Sequence, residues 1–245
     1  MELGLKGKKA LVFGASSGIG RAIAETLYSE SISLAASSRG GAKLESLRKN
    51  RPDLQLVTAD FEKTGEARSA TAKAIQLLNG LDILIINTGG PPMGSFDSIT
   101  TEKWMIGFQS LWLSTTEAIQ EALPTMQKQG FGRIILIAST SAKEPIPNLT
   151  VSNGIRAGLL GMIKSLSNEI APFGITANVI MPGFIETERL AELGIQEANI
   201  LKLIPANRLG RPEEIAQLVT FLSSTAASYI TGQAIACDGG RLKSF

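Results

Sequence analysis

The chain of 245 residues contains no histidine and one cysteine, Cys237. The first absence excludes a Ser-His-Asp hydrolase and any imidazole general base. Together the two leave too few ligands for a dedicated transition-metal site. A lone cysteine forms no internal disulfide, which fits a reducing cytoplasm. No run approaches the ~18 apolar residues of a membrane span. Residues 1–9 contain lysines and lead straight into a strand-like run, with no segment suited to a signal peptide. The net charge of +2 gives no reason to expect nucleic acid or an anionic membrane as partner. Linkers, repeats and low-complexity tracts are missing too, so residues 1–245 are expected to form a single domain. Hydrophobic residues make up 44% of the chain, enough for a sizeable core. Proton chemistry falls to Tyr, Lys, Glu, Asp, water or a cofactor.

What is present is an alternation of strand-like and helical stretches. Apolar runs occupy residues 9–13, 32–36, 54–58, 82–86, 133–137, 175–179 and 233–237. Several are nearly continuous aliphatics, as expected of parallel strands covered on both faces. Helical patterns fill 18–28, 62–78, 101–127 and 153–170. The order predicts an α/β fold: one doubly wound, Rossmann-type sheet of seven parallel strands with helices on both faces. Ligands in such a sheet bind at the carboxyl ends of the strands. Residues 183–206 hold no clear strand and are expected to act as a lid.

Gly14-Ala-Ser-Ser-Gly18-Ile-Gly20 follows the first strand and opens a helix. Glycines let backbone N–H groups approach a pyrophosphate, and the helix N-terminus favours its charge. Gly14, Ser16, Ser17, Gly18, Ile19 and Gly20 are therefore candidate nucleotide-binding residues. The second strand ends in Ser37-Ser38-Arg39, with no acid to hold a ribose 2′-hydroxyl. A guanidinium there suits a 2′-phosphate, so Ser38 and Arg39 favour NADP(H) over NAD(H).

The Gly-xxx-Gly-x-Gly spacing resembles the short-chain dehydrogenase/reductase fingerprint, and the resemblance covers essentially the whole chain. The segments Arg208-Leu-Gly-Arg-Pro-Glu-Glu214 and Ile230-Thr-Gly-Gln…Asp238-Gly-Gly240 bring it closest to 3-oxoacyl-carrier-protein reductase-like members. By this resemblance Asp60 contacts adenine, and Asn87-Thr88-Gly89 matches an Asn-Ala-Gly turn. Pro182, Gly183, Ile185 and Thr187 lie in the segment that grips the nicotinamide amide. Phe13 stands where the family usually has Thr, and Ile86 where a second Asn is frequent.

The resemblance implies hydride transfer between a nicotinamide and a carbonyl or alcohol carbon, with a Ser, a Tyr, a Lys and an Asn at the reaction centre. Ser139 matches the Ser. Ser152 replaces the Tyr, Arg156 the Lys and Leu111 the Asn. A Ser hydroxyl is a much weaker acid than a phenol and reaches less far. Arg156 can still meet ribose hydroxyls, but it stays protonated and passes no proton along. Two readings are open. One is an atypical oxidoreductase whose proton comes from Lys143, Glu144 or a Ser152-bound water. The other is a nucleotide-binding sensor or non-catalytic subunit.

The loops 90–94 and 143–148 and the segment 183–206 are expected to meet a small-molecule carbonyl or alcohol substrate. Met93, Phe96, Pro145, Ile146, Phe184 and Leu190 suggest an apolar cleft. The resemblance also implies a homotetramer built through the helices 101–127 and 153–170 and the last strand. Gly154, Ala157, Gly158 and Gly161 form a small-residue face suited to close helix packing, either between subunits or within one.

Overall fold

The computed structural model describes residues 2–191 and 196–244. Strands β1 (Lys9–Phe13), β2 (Ser33–Ser38), β3 (Gln55–Thr58), β4 (Ile83–Asn87), β5 (Gly132–Ile137), β6 (Ile175–Pro182) and β7 (Ala234–Cys237) form one sheet. Its order is β3-β2-β1-β4-β5-β6-β7, and every neighbouring pair is parallel. The expected α/β class and seven-stranded parallel sheet are present. After β3 the chain crosses back to place β4 beside β1, so the turns leaving β1 and β4 diverge and open a cleft between them.

Helices α1 (Gly18–Ser29), α2 (Ala42–Glu45), α3 (Glu66–Leu78), α4 (Thr101–Gly107), α5 (Ser114–Gln129), α6 (Thr150–Ile170), α7 (Glu188–Ala191), α8 (Glu197–Leu201) and α9 (Pro212–Ser223) connect the strands or follow them. The period-2 alternation of strand side chains divides the core in two. Leu11, Phe13, Leu84, Ile86, Ile134 and Leu136 face α3, α5 and α6. Ala10, Val12, Ile83, Ile85, Ile135 and Ile137 face α1 and α9. Strands buried on both faces have no polar side to display, which is why they read as aliphatic runs.

The helix expected over 101–127 is interrupted. Residues Phe108–Leu113 form a π-helical segment between α4 and α5. Gly107, just before it, lies so close to α6 that a Cβ there would stand 2.3 Å from Val151 Cγ1. π segments carry an extra residue per turn and shift the faces that follow. Leu111, within this segment, is fully buried in the core.

The small-residue face of α6 is used partly inside the chain. Gly154 lies under Trp104, and a Cβ on Gly158 would come within 2.9 Å of the Trp112 ring. Gly161 faces open space. In the segment expected to be a lid, α7 and α8 are short helices, and the part of that expectation falling on 192–195 lies outside the described residues.

Candidate active site

The carboxyl ends of the strands frame a cleft of about 1060 Å³. It is lined by Gly14, Ser16, Ser17, Gly18 and Ile19 at one end and by Ser139, Ser152 and Arg156 at the other. Ser38, Arg39, Asp60, Asn87, Gly89, Pro182, Gly183, Ile185 and Thr187 line it as well.

The glycine turn is built by backbone geometry. Gly14 and Gly18 adopt φ of +66° and +50°, left-handed conformations that side chains disfavour. The Asn87 side-chain amide donates to the Gly14 carbonyl at 3.3 Å, tying the β4 end to the turn after β1. Gly20 is the expected nucleotide-binding residue that does not line the cleft. A Cβ there would collide with the Gly14 carbonyl at 2.1 Å, so Gly20 serves the packing of helix against turn. Gly89 differs: a Cβ on it would meet nothing within 4 Å, leaving an open cradle in the cleft floor. The N-terminus of α1 faces this space, so turn, helix end and cradle fit a dinucleotide.

At the far side, the Arg39 side chain makes no ion pair among the described residues. The Ser38 hydroxyl accepts the Gly40 N–H at 3.2 Å. Asp60 lies behind them; its carboxylate accepts the Glu62 N–H at 3.2 Å and stands 3.9 Å from Lys63 Nζ. Phe13 fills the missing Thr position with apolar surface, packed on Phe61 at 4.8 Å between ring centroids.

The reaction end is a cluster of hydroxyls around one guanidinium. Ser139 leaves β5 in an extended conformation, and its hydroxyl accepts the Ser141 N–H at 3.1 Å. Ser152 and Arg156 lie one helical turn apart on α6, so their side chains share a face. Arg156 Nε donates to Ser152 Oγ at 3.2 Å, and Ser152 Oγ is 3.3 Å from Ser141 Oγ. Arg156 Nη1 donates to the Ile137 carbonyl at 3.1 Å and Nη2 to the Gly89 carbonyl at 3.3 Å. The guanidinium thus clamps the ends of β5 and of the β4 turn.

Several expectations need correction. Neither Lys143 nor Glu144 lines the cleft. Glu144 accepts the N–H groups of Lys243 and Ser244 at 2.6 and 3.0 Å, and the Lys243 bond leads in holding its carboxyl below the usual range. An acid kept ionised has no proton to give. Leu111 matches the Asn position in sequence, but the residue of that turn lining the cleft is Ser110. Met93, Ile146, Phe184 and Leu190 form apolar lining as expected; Phe96 and Pro145 do not. No tyrosine is displaced into the site. Tyr28 bonds Asp53, and Tyr229 is fully exposed, both outside the lining.

Sequence reasoning missed Ser141, whose hydroxyl matters only through contact with Ser152. It also missed Lys43 and Glu188, which line the cleft and meet each other. Among the described residues there is no cluster of metal-ligating side chains. Nor is any helix among them long and apolar enough to cross a membrane.

A parallel sheet with this glycine turn at its switch point, continuous with a serine-rich reaction end, defines a nucleotide-dependent oxidoreductase of the short-chain type. Residues 14–241 match the family model described as Enoyl-(Acyl carrier protein) reductase. The chain belongs to the short-chain dehydrogenase/reductase family, near the 3-oxoacyl-carrier-protein reductases. It is 34% identical to NADPH-dependent reductase BacG of Bacillus subtilis (strain 168), over 97% of this chain and 98% of that protein. It is 37% identical to 3-oxoacyl-[acyl-carrier-protein] reductase FabG of Escherichia coli (strain K12), with 97% and 98% covered. The crystal structure of YwfH, an NADPH dependent reductase involved in bacilysin biosynthesis, superposes with a TM-score of 0.93 at 33% identity, covering 98% of this chain and all of that one.

Proposed function

We propose that the chain is an NADP(H)-dependent oxidoreductase that interconverts a carbonyl and an alcohol without a catalytic tyrosine. The observation that carries this reading is the continuity of one cleft from the glycine turn to Ser139, Ser152 and Arg156. Two relatives with NADPH in their printed names support the cofactor. Arg39 without an acid beside it supports the same choice. Gly14, Ser16, Ser17, Gly18 and Ile19 hold the pyrophosphate, Ser38 and Arg39 the 2′-phosphate, and Asp60 the adenine. Asn87, Gly89, Pro182, Gly183, Ile185 and Thr187 border the nicotinamide end.

When bound, the nucleotide supplies or accepts the hydride. Ser139 and Ser152 hold the substrate oxygen by their hydroxyls. Because Arg156 Nε only donates, Ser152 Oγ is the acceptor of that bond and keeps its own proton to give. Arg156 contributes fixed positive charge beside the oxygen as negative charge develops there. It moves no proton, so water in the cleft resupplies Ser152. The apolar lining from Met93, Ile146, Phe184 and Leu190 favours a hydrophobic carbonyl compound.

The first test is titration with NADPH and NADH, followed by nicotinamide fluorescence. Tighter binding of NADPH, and oxidation of NADPH by a panel of hydrophobic ketones, is expected. Binding of neither nucleotide would end this reading. The absence of tyrosine from the lining favours one alternative, a nucleotide-binding subunit without turnover. Activity that arises only after Ser152→Tyr with Arg156→Lys would establish that alternative.

The chain is read as one domain working as a cytoplasmic homotetramer. Exposed Met105 and Phe108 along α4 and the π segment, and fully exposed Tyr229 ahead of β7, support assembly through these faces. A light-scattering mass of one chain at micromolar concentration would dispose of the tetramer.

A further inference from the structure

An ion pair spans the cleft at the nucleotide end. Lys43 Nζ on α2 donates to Glu188 Oε2 on α7 at 2.5 Å, joining residues 145 positions apart in sequence. Both residues line the cleft. α2 follows the end of β2, where a nucleotide's adenosine ribose lies in a doubly wound sheet. Gly40 and Gly41, with φ of +98° and +89°, make the turn that carries α2 back beside Ser38 and Arg39.

Charge sharpens the point. The charged residues lining the cleft are Arg39, Lys43, Asp60, Glu62, Arg156 and Glu188, three of each sign. Arg156 is engaged at the reaction end with the Ile137 and Gly89 carbonyls and Ser152. Arg39 and Lys43 are therefore the cations at the ribose end, and Lys43 is held by an anion that a phosphate would replace.

We propose that Lys43 is a second cation for the nucleotide's 2′-phosphate and that Glu188 competes with this phosphate for it, so the pair is a latch that NADP(H) opens and NAD(H) does not. The proposal rests on the NADP(H) reading above. The Lys43 and Glu188 side chains are 60% and 72% exposed, so their attraction is weak and screened by salt. A phosphate offers more charge and three acceptor oxygens, and lysine serves it as a point charge. Glu188, once released, is already largely in water and loses no burial. The 2′-phosphate thereby shifts Lys43 from one side of the cleft mouth to the other and frees α7 from α2.

The test is equilibrium titration of the full-length protein with NADPH, NADH and 2′,5′-ADP, the last carrying the 2′-phosphate without nicotinamide. Lys43→Ala should weaken NADPH and 2′,5′-ADP about tenfold, the loss of one charge-assisted contact, and leave NADH within about twofold. Lys43→Arg should keep the preference for NADPH. Glu188→Gln should tighten NADPH about two- to fivefold, and this gain should vanish in the Lys43→Ala background. Equal effects of Lys43→Ala on NADPH and NADH, or a Glu188→Gln gain that survives without Lys43, would overturn the latch. If the parent prefers NADPH but is indifferent to both substitutions, the latch alone falls. If the parent binds neither nucleotide, the cofactor reading falls and takes the latch with it.

Discussion

Two buried arginines sit at opposite ends of β5 and do the same thing to the backbone. Arg133, at the start of the strand, is 2% exposed and donates to the carbonyls of Ser224, Gly132 and Gly174 at 2.8 to 3.2 Å. Its guanidinium stacks 4.2 Å from the Phe131 ring centroid, and burial pulls its pKa below the ordinary arginine value. Arg156, 6% exposed, holds the carbonyl of Ile137, the last residue of the same strand. Both charges are retained because buried carbonyls need donors and a buried guanidinium needs acceptors. The surroundings differ. Arg133 is enclosed by main chain and an aromatic ring, whereas Arg156 has the hydroxyls of Ser152 and Ser141 beside it and an open cleft above. The comparison teaches that the same backbone clamp opens onto a ligand-sized cleft only at the carboxyl end of the strands, where the loops diverge.

Removing Arg133 should have the largest effect on folding. Arg133→Ala removes the side-chain donations to the Ser224, Gly132 and Gly174 carbonyls and should cost about 3–4 kcal/mol, read as a lower denaturant midpoint. Nucleotide affinity of the folded fraction should hardly change. Arg156→Met should cost less stability, about 2 kcal/mol, yet lower turnover about a hundredfold. A loss of stability with turnover intact would make Arg156 a second Arg133 and erase the contrast. Ser139→Ala should also slow turnover about a hundredfold while costing about 0.5–1 kcal/mol through the lost bond to the Ser141 N–H. An unchanged rate would remove Ser139 from the reaction.

The smallest effect belongs to a third arginine, which is exposed. Arg208 forms a two-pronged pair with Glu214 at 2.6 and 2.8 Å, and Glu214 also accepts the Arg211 N–H at 2.8 Å. The Arg208 bonds, then the Arg211 N–H, push the Glu214 pKa down from 4.5 to about 2. A depressed carboxyl stabilises the fold above its unfolded pKa, and that contribution is lost as pH falls from about 4.5 towards 2. Melting temperature should therefore drop on acidification through this window, and Glu214→Gln should flatten part of that drop. If acid profiles of parent and variant coincide, the pair contributes nothing measurable, as many exposed pairs do.

Much of the fold was readable because strand burial and glycine geometry leave marks in sequence. β1 matches its apolar run at both ends, β4 is displaced by a single residue, and β5 begins one residue early and ends where its run does. The long helix before β5 reads as continuous in sequence because a single short π segment, Phe108–Leu113, is too brief to leave a period of its own. The close approach of Gly107 to Val151 beside it is a tertiary contact. The site was legible where backbone dictates residue type, as at Gly14, Gly18 and Asn87. Gly20 is required because Gly14 lies against it, and it stands outside the cleft lining. Lys143 and Glu144 looked suitable as acids from their place after Ser139. The C-terminal residues 243 and 244, about a hundred positions away, decide that Glu144 stays ionised.

The sequence by itself determined the parallel sheet, the glycine turn after β1, the missing acid after β2 and the placing of Ser152 and Arg156 four residues apart. These depend on local periodicity, on φ and on residue chemistry, all written within a few positions of one another. Only the tertiary structure decided that Arg156 clamps two strand ends, that Ser141 joins Ser152, that Ser110 rather than Leu111 meets the cleft, and that Lys43 reaches Glu188. Each of those joins atoms from segments that topology, not sequence proximity, brings together, and a hydrogen bond is formed or lost over less than an ångström.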